Sequence, residues 1–234
     1  MKRLIILSFF AFCTISCSSS IDGEGSATAE QEIATDQFTE LRADCNCVLT
    51  LIQSENPKVI IESHQNLIDN LKVNSKRNRL EISENKKVNK YALYNVNVYF
   101  NPELNTVILN GNTKMKVSGT LKAAKMNFEL KNNSSISDTY TDIEKFGIKL
   151  QNSSIAQIRG TAISLDADVS GKSNADFSEL QSVDVNFKTT DEAQLSVFPL
   201  KNLTGKANEN SIVKYKGAPN KDATAKEKAI IQQN

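Results

Sequence analysis

The sequence predicts an all-β chain: a parallel β-solenoid, or β-helix-like stack, of about six short rungs preceded by a β-rich N-terminal part. Three observations carry this. Triplets of alternate residues recur from Asn105 onward: Asn105-Val107-Leu109, Met126-Phe128-Leu130, Phe146-Ile148-Leu150, Leu165-Ala167-Val169, Val183-Val185-Phe187 and Leu203-Gly205-Ala207. They return about every twenty residues, the length of one solenoid rung. Each triplet is followed by a polar turn and, in most rungs, a second inward pair. Finally, hydrophobic residues make up 39% of the chain, aromatics only 6%, and Trp is absent. Such a composition suits a thin aliphatic ladder better than a globular core.

The first residues read as a targeting segment. Lys2 and Arg3 precede the apolar run Leu4 to Phe12, which is too short to span a bilayer as a helix. Thr14-Ile15-Ser16-Cys17 then resembles a bacterial lipobox, with Thr where Leu is usual. Residues 1–16 are the expected lipoprotein signal peptide and Cys17 the expected lipid attachment site. The alternative is an ordinary signal peptide with an incidental Cys. Residues 17–32, rich in Ser, Gly, Ala and Glu, are expected to be a flexible tether.

Residues 33–103 form the expected β-rich N-terminal part. Cys47 to Ile52 and Val59 to Ile61 read as strands, and Leu67 to Leu71 as a turn or helical bend. Leu71-Lys72-Val73 and Leu80-Glu81-Ile82 read as a hairpin through Ser75-Lys76-Arg77-Asn78. Tyr94, Val96, Val98 and Phe100 alternate with polar residues, as in a half-buried strand. Asn101-Pro102 ends it.

Residues 104–219 carry the rungs. The second inward pairs read as Met115/Val117, Ala156/Ile158, Ala175/Phe177, Ala193/Leu195 and Val213/Tyr215. The second rung offers Ile136 with Asp138 and is irregular. Leu121, Ile143, Ile163, Leu180 and Leu200 read as further inward positions. Corners rich in Asn, Gly and Ser, such as Asn110-Gly111-Asn112 and Asn152-Ser153-Ser154, tolerate left-handed backbone. Outward, Glu129, Lys149, Asp168, Asn186 and Lys206 read as one column. The rival architecture is an antiparallel meander folded into a sandwich. Residues 220–234 are expected to be a polar tail, either frayed or a marginal helix.

Lys plus Arg number 28 and Asp plus Glu 27, which argues against nucleic-acid binding. A single His, His64, leaves little room for His-based catalysis or metal chemistry, and it reads as an exposed loop residue. Cys45 and Cys47 would share one face of a strand with Cα atoms about 6.6 Å apart. They read either as a strained disulfide in an exported chain or as small core hydrophobes. Asp166, Asp168 and Asp184 read as outward carboxylates on neighbouring rungs. Two such groups one strand spacing apart could hold a cation; the alternative is a solvated face balanced by lysines. Tyr91, Tyr94 and Tyr99 are candidates for a sugar-stacking patch, with Tyr94 expected to turn inward.

The ordered set of segments resembles the "putative autotransporter adhesin, head GIN domain" family of exported bacterial proteins. The resemblance covers about Phe38 to Pro219. It runs through Cys47–Ile52, Asn66–Leu71, Leu80-Glu81-Ile82, Asn97–Leu104, the corners and the closing Tyr215-Lys216-Gly217-Ala218-Pro219. Several corners carry Asn-Asn-Ser-Ser, Thr-Thr-Asp or Asn-Glu-Asn where the family usually has Gly. The family implies a solenoid and brings no catalytic residues with it.

The expected function is a lipid-anchored, exported, adhesin-like binding module without catalysis, cofactor or resident metal. The alternatives are a structural cell-envelope protein with no dedicated ligand and a carbohydrate-active enzyme on a solenoid scaffold. Expected partners are the membrane, through the N-terminal lipid at the outer membrane, and an extracellular glycan or protein.

Overall fold

A computed structural model describes residues 20–234. The expected signal peptide, 1–16, and Cys17 lie outside the described residues. In chain order the elements are β1 (Ala29–Ala34), β2 (Glu40–Asp44), β3 (Val48–Gln53), β4 (Lys58–Ser63), α1 (Gln65–Asn70), β5 (Leu71–Lys76), β6 (Arg79–Glu84), β7 (Tyr94–Phe100) and β8 (Thr106–Asn110). They continue with β9 (Lys114–Val117), β10 (Thr120–Leu130), β11 (Ser135–Leu150), β12 (Ile155–Val169), β13 (Asn174–Thr189), β14 (Gln194–Ala207), β15 (Ile212–Tyr215), β16 (Asn220–Ala225) and β17 (Ile230–Gln233). The fold is the predicted parallel β-solenoid.

Each full rung has three sides. The first side stacks Met126–Leu130 on Phe146–Leu150, then on Leu165–Val169, Val185–Thr189 and Leu203–Ala207. The second stacks Met115, Ile136, Ala156, Ala175, Leu195 and Val213. The third runs through Leu121, Thr141, Gly160 and Leu180. All neighbours in these runs pair in parallel, so the backbone hydrogen bonds point along the stack axis. Inward residues therefore meet the same position of the next rung. Met126, Phe128, Phe146, Ile148, Leu165, Val185 and Phe187 are buried in this way, with the Phe128 and Phe146 rings edge-to-face at 5.4 Å.

Two readings of the register needed correction by one alternation. The fifth triplet is Val185-Phe187-Thr189, because Leu165 stands opposite Val185 and Val169 opposite Thr189. Val183 instead lies outside the core. A buried Thr at the triplet's end hid the register; its hydroxyl is satisfied by Ser211 Oγ at 2.9 Å. Likewise the fifth second-side pair is Leu195/Val197, with Ala193 at the corner. In the column of third-side residues, Ala162 and Pro199 turn inward, while Ile163 and Leu200 are exposed. The irregularity at Asp138 is a bulge. Asp138 takes φ 45° and is extruded, and Thr139 replaces it against Ile158.

Each corner carries one left-handed residue: Gly111, Asn132, Asn152, Gly171, Asp191, Glu209 and Glu227 form one column with φ between 61° and 72°. Two places after it stands a small residue, buried at every corner but the last. At four of these corners its hydroxyl caps the turn: Thr113, Ser134, Ser154 and Ser211 each donate to the carbonyl three residues back, at 2.7 to 2.9 Å. Asn side chains bridge successive corners, Asn152 to Asn132 and Asn132 to Asn110.

The N-terminal part belongs to the same stack. β2 inserts between β6 and β8, and β3 between β7 and β9, all in parallel. The β5–β6 hairpin closes that end on one side, and antiparallel β4 and β1 close it on the other. The hairpin turns through Arg77 and Asn78, both left-handed, as a two-residue turn requires.

From residue 21 onward, both ends expected to be flexible are paired with the domain. In the tether, β1 pairs with β4 and residues 20–25 dock on the domain. In the tail, β16 pairs with β14 and β17 with β15, adding a further rung. The tail's register repeats the corner pattern, but its polar residues concealed it. Lys221 in this rung lies over the Tyr215 ring at 5.8 Å.

Ile148→Asp should place a carboxylate between Phe128 and Ala167 and cost more than about 3 kcal/mol. Thermal melting checks this against Lys149→Gln, an outward neighbour expected to change stability by less than about 0.5 kcal/mol. Similar melts for the two variants would contradict the inward assignment of Ile148.

Candidate functional site

The outward face of the first side is covered by no helix or loop among the described residues. Its side chains form three columns. One runs Ser164, Asp184, Asn202, Asn220. The next runs Asn127, Gly147, Asp166, Asn186, Thr204, Asp222, and the third Glu129, Lys149, Asp168, Lys188, Lys206, Thr224. Asn186 therefore sits one column over from its expected place, and Lys188 takes that place. Within columns the groups link rung to rung. Asn202 Nδ2 donates to Asp184 Oδ1 at 2.6 Å, and Asn186 Nδ2 donates to Asp166 Oδ1 at 3.0 Å. Two shallow adjoining clefts of about 490 and 410 Å³ open between these columns.

The three candidate carboxylates share this face but do not converge. Asp184 stands opposite Ser164, so it is diagonal to Asp166 rather than one strand spacing away. The cause is the corrected register, which moves rung five by two residues. Asp166 is engaged by Asn186, and Asp168 lies 3.9 Å from Lys149 Nζ. Among the described residues no three His, Cys, Asp or Glu side chains gather as a metal site. The face instead offers alternating carboxylate, carboxamide, hydroxyl and ammonium groups, suited to hydrogen-bonding a long polar ligand.

A second feature lies at the corner between β2 and β3. Cys45 and Cys47 are joined as a disulfide with Cα atoms 5.2 Å apart, and both are buried. The open alternative resolves this way because the corner bends the chain, bringing the Cα atoms closer than in an extended strand. The bend aims the Asn46 backbone N–H at Glu84 Oε1, 2.8 Å away. Val88 N–H donates to the other oxygen at 3.2 Å. Burial pushes the Glu84 carboxyl above its ordinary value of 4.5, against the lowering effect of those two backbone donors. Burial, with Glu84 nearby, also raises the Tyr94 phenol, whose hydroxyl makes no hydrogen bond of ordinary geometry. Nothing in the sequence marked Glu84, because its neighbours come from the β2–β3 corner and the loop after β6.

The remaining candidates separate. Tyr94 is buried, with Tyr91 packed edge-on at 5.6 Å. Tyr99 points to the other face, under Lys58. The three tyrosines form no stacking surface. His64 is buried, not an exposed loop residue. Its Nε2 accepts from the Ala92 N–H at 3.1 Å, so Nδ1 carries the proton and donates to the Gly25 carbonyl. A feature missed in the sequence is an outward aliphatic edge, Ile163 beside Val183 and Leu200. The sequence pattern alone assigns these residues to the core; the structure turns them outward.

The family described as "Putative auto-transporter adhesin, head GIN domain" matches residues 37–219. The chain belongs to this family. Solved structures share the fold. A protein of Bacteroides fragilis described as a putative adhesin aligns at TM-score 0.85 and 18% identity, over 92% of this chain and 100% of its own. One from Parabacteroides distasonis, also described as a putative adhesin, aligns at TM-score 0.73 and 17% identity, over 92% and 100%. Another from the same species, described as a putative lipid binding protein, aligns at TM-score 0.70 and 17% identity over the same shares. No curated protein matches the chain. At these identities the neighbours speak for the fold of this head GIN domain.

Two outcomes are expected at the Cys45 corner. Replacing both cysteines by Ser should cost about 1–2 kcal/mol, the loop-entropy value for so short a ring, read from urea unfolding; peptide mapping without reductant should recover Cys45 and Cys47 linked. For Glu84, the folded pKa lies above the unfolded one. Its stabilising contribution is then full below 4.5 and is lost as pH rises through the folded value. Glu84→Gln should abolish that decline, and a carboxyl NMR titration of the native protein should give a midpoint above 4.5.

Proposed function

We propose that this head GIN domain is an adhesin-like binding module without catalysis, lipid-anchored through Cys17 in the cell envelope. Its binding surface is the open face of the first side. The observation that carries the reading is the ladder of Asp166, Asn186, Thr204 and Asp222 beside Asp184, Asn202 and Asn220. Rungs about 4.8 Å apart present donors and acceptors at a regular spacing. A glycan with vicinal hydroxyls meets carboxylate and carboxamide groups in turn along such a ladder.

A second reading, a protein partner, is favoured by one feature only: the exposed Ile163 and Leu200 flanking Val183.

An array of bacterial and host glycans, probed with the full chain, tests the first reading. Replacing Asp166, Asn186 and Asn202 together by Ala should leave the melt within about 2 °C, as expected for surface changes, and cut glycan binding at least tenfold. Binding unchanged in the triple variant would remove the face from consideration. Loss of binding on Ile163→Asp instead would move the site to the aliphatic edge.

A further inference from the structure

The N-terminal segment does more than connect. At the β2–β3 corner, Asn46 Nδ2 donates to the Val88 carbonyl at 3.0 Å. On the far side of Val88 lies Ile21, joined to it by a parallel bridge. Ile21 N–H donates to Lys87 O at 2.9 Å, Asn89 N–H to Ile21 O at 2.9 Å, and Gly23 N–H to Lys90 O at 2.7 Å. Because backbone bonds run along the stack axis, Ile21 is the outermost layer at this corner, on the end face of the solenoid.

Three side chains lock the segment there. Asn66 donates to the Asp22 carbonyl at 2.8 Å and accepts from the Glu24 N–H at 3.0 Å. Asp22 accepts from the Lys90 N–H at 3.2 Å. The buried His64 holds the Gly25 carbonyl at 3.1 Å. Gly23 lies against its ring, where a Cβ would come within 2.3 Å of Cδ2, so a side chain at this position would displace the imidazole.

We infer that this end face is the membrane-facing base of the molecule, with the docked segment around Ile21 and the flanking loop from Asn85 to Tyr91 nearest the lipid headgroups and the C-terminal rungs pointing away. The inference rests on the proposed lipid anchor at Cys17. Ile21 is four positions after Cys17, a reach of at most about 14 Å when fully extended. An acylated Cys17 lies at the bilayer surface, so the docked segment cannot stand off from it. The occupant of this face is thus a lipid surface held by the anchor. Charge does not drive the contact: exposed Lys86, Lys87 and Lys90 are offset by Asp22, Glu24 and Asp69. From β6 the layers β2, β8, β10, β11, β12, β13, β14 and β16 follow at about 4.8 Å each, which places the last rung about 40 Å from the base. The polar face around Asp166 and Asp222 is then carried on the distal half.

The test uses the full chain, exported and lipidated by a bacterial host and reconstituted in vesicles of phosphatidylethanolamine and phosphatidylglycerol. A single fluorophore is placed at Asn85→Cys or at Lys226→Cys, with acceptor-labelled headgroups. The expected distances are about 15 Å or less for position 85 and about 40 Å for position 226, from the reach and stacking values. Both positions lie on the corner side, so equal distances would mean the stack lies flat, and a shorter distance at 226 would mean it is inverted. Either overturns the inference. Mass spectrometry of the N-terminal peptide separates the two readings. Acylated Cys17 with equal distances removes only the orientation, whereas unmodified Cys17 removes the anchor and the orientation together.

Discussion

Everything in this molecule depends on one constraint: each rung satisfies its backbone through the rungs above and below. A solenoid rung has few hydrogen bonds within itself, so the parallel register along the axis holds the chain. That register forces like onto like. Phe128 sits on Ile148, Leu130 on Leu150, and Asn132 bridges Asn110 to Asn152. The left-handed corner column follows from the same demand, since every rung must turn at the same point or lose its pairing. The bulge at Asp138 shows how the stack absorbs an extra residue: it expels one side chain and resumes pairing at Thr139.

The same constraint leaves two open ends, and the chain treats them differently. The N-terminal end is covered by antiparallel pieces, the β5–β6 hairpin and the β4–β1 pair, with α1 packed beside them. Antiparallel strands change the edge from a template for further rungs into a finished surface. The docked segment at Ile21 adds the outermost layer there. The C-terminal end finishes with β16 and β17, whose burial is slight. Lys221, Lys226 and Lys228 stand in this last rung, charges of the kind that discourage edge pairing. A molecule so built has one closed end and one sparsely capped end, with its polar face between them.

In the proposed reading that face is a recognition surface. Its groups are paired along columns, Asn202 with Asp184 and Asn186 with Asp166, so each is oriented by its neighbour. Orientation before binding lowers the entropy lost on contact. A carboxyl group with a pKa raised by burial lies elsewhere, at Glu84. There the Cys45–Cys47 corner turns the Asn46 N–H onto a half-buried carboxylate that also accepts from Val88 N–H, and the result is structural: it fastens the loop after β6 to the corner of β2 and β3.

The sequence alone determined the solenoid, the β5–β6 hairpin, the inward row of β7 and the irregular second rung. Period and alternation are local properties, visible wherever apolar residues mark the inward positions. It failed where the inward residue is polar or small. Thr189 disguised the fifth rung, Pro199 and Ala162 were passed over for Ile163 and Leu200, and the polar tail hid the last rung. Only the tertiary structure decided the order of the first rungs, because β2 and β3 lie between strands that come later in the chain. It alone decided that residues 20–25 dock rather than dangle, through His64 and Asn66, which are distant in sequence. It also placed Asp184 diagonal to Asp166, since one extra residue in β13 moves every side chain after it relative to the rung below. Periodicity gives a repeat its shape; the register between rungs decides which side chains meet.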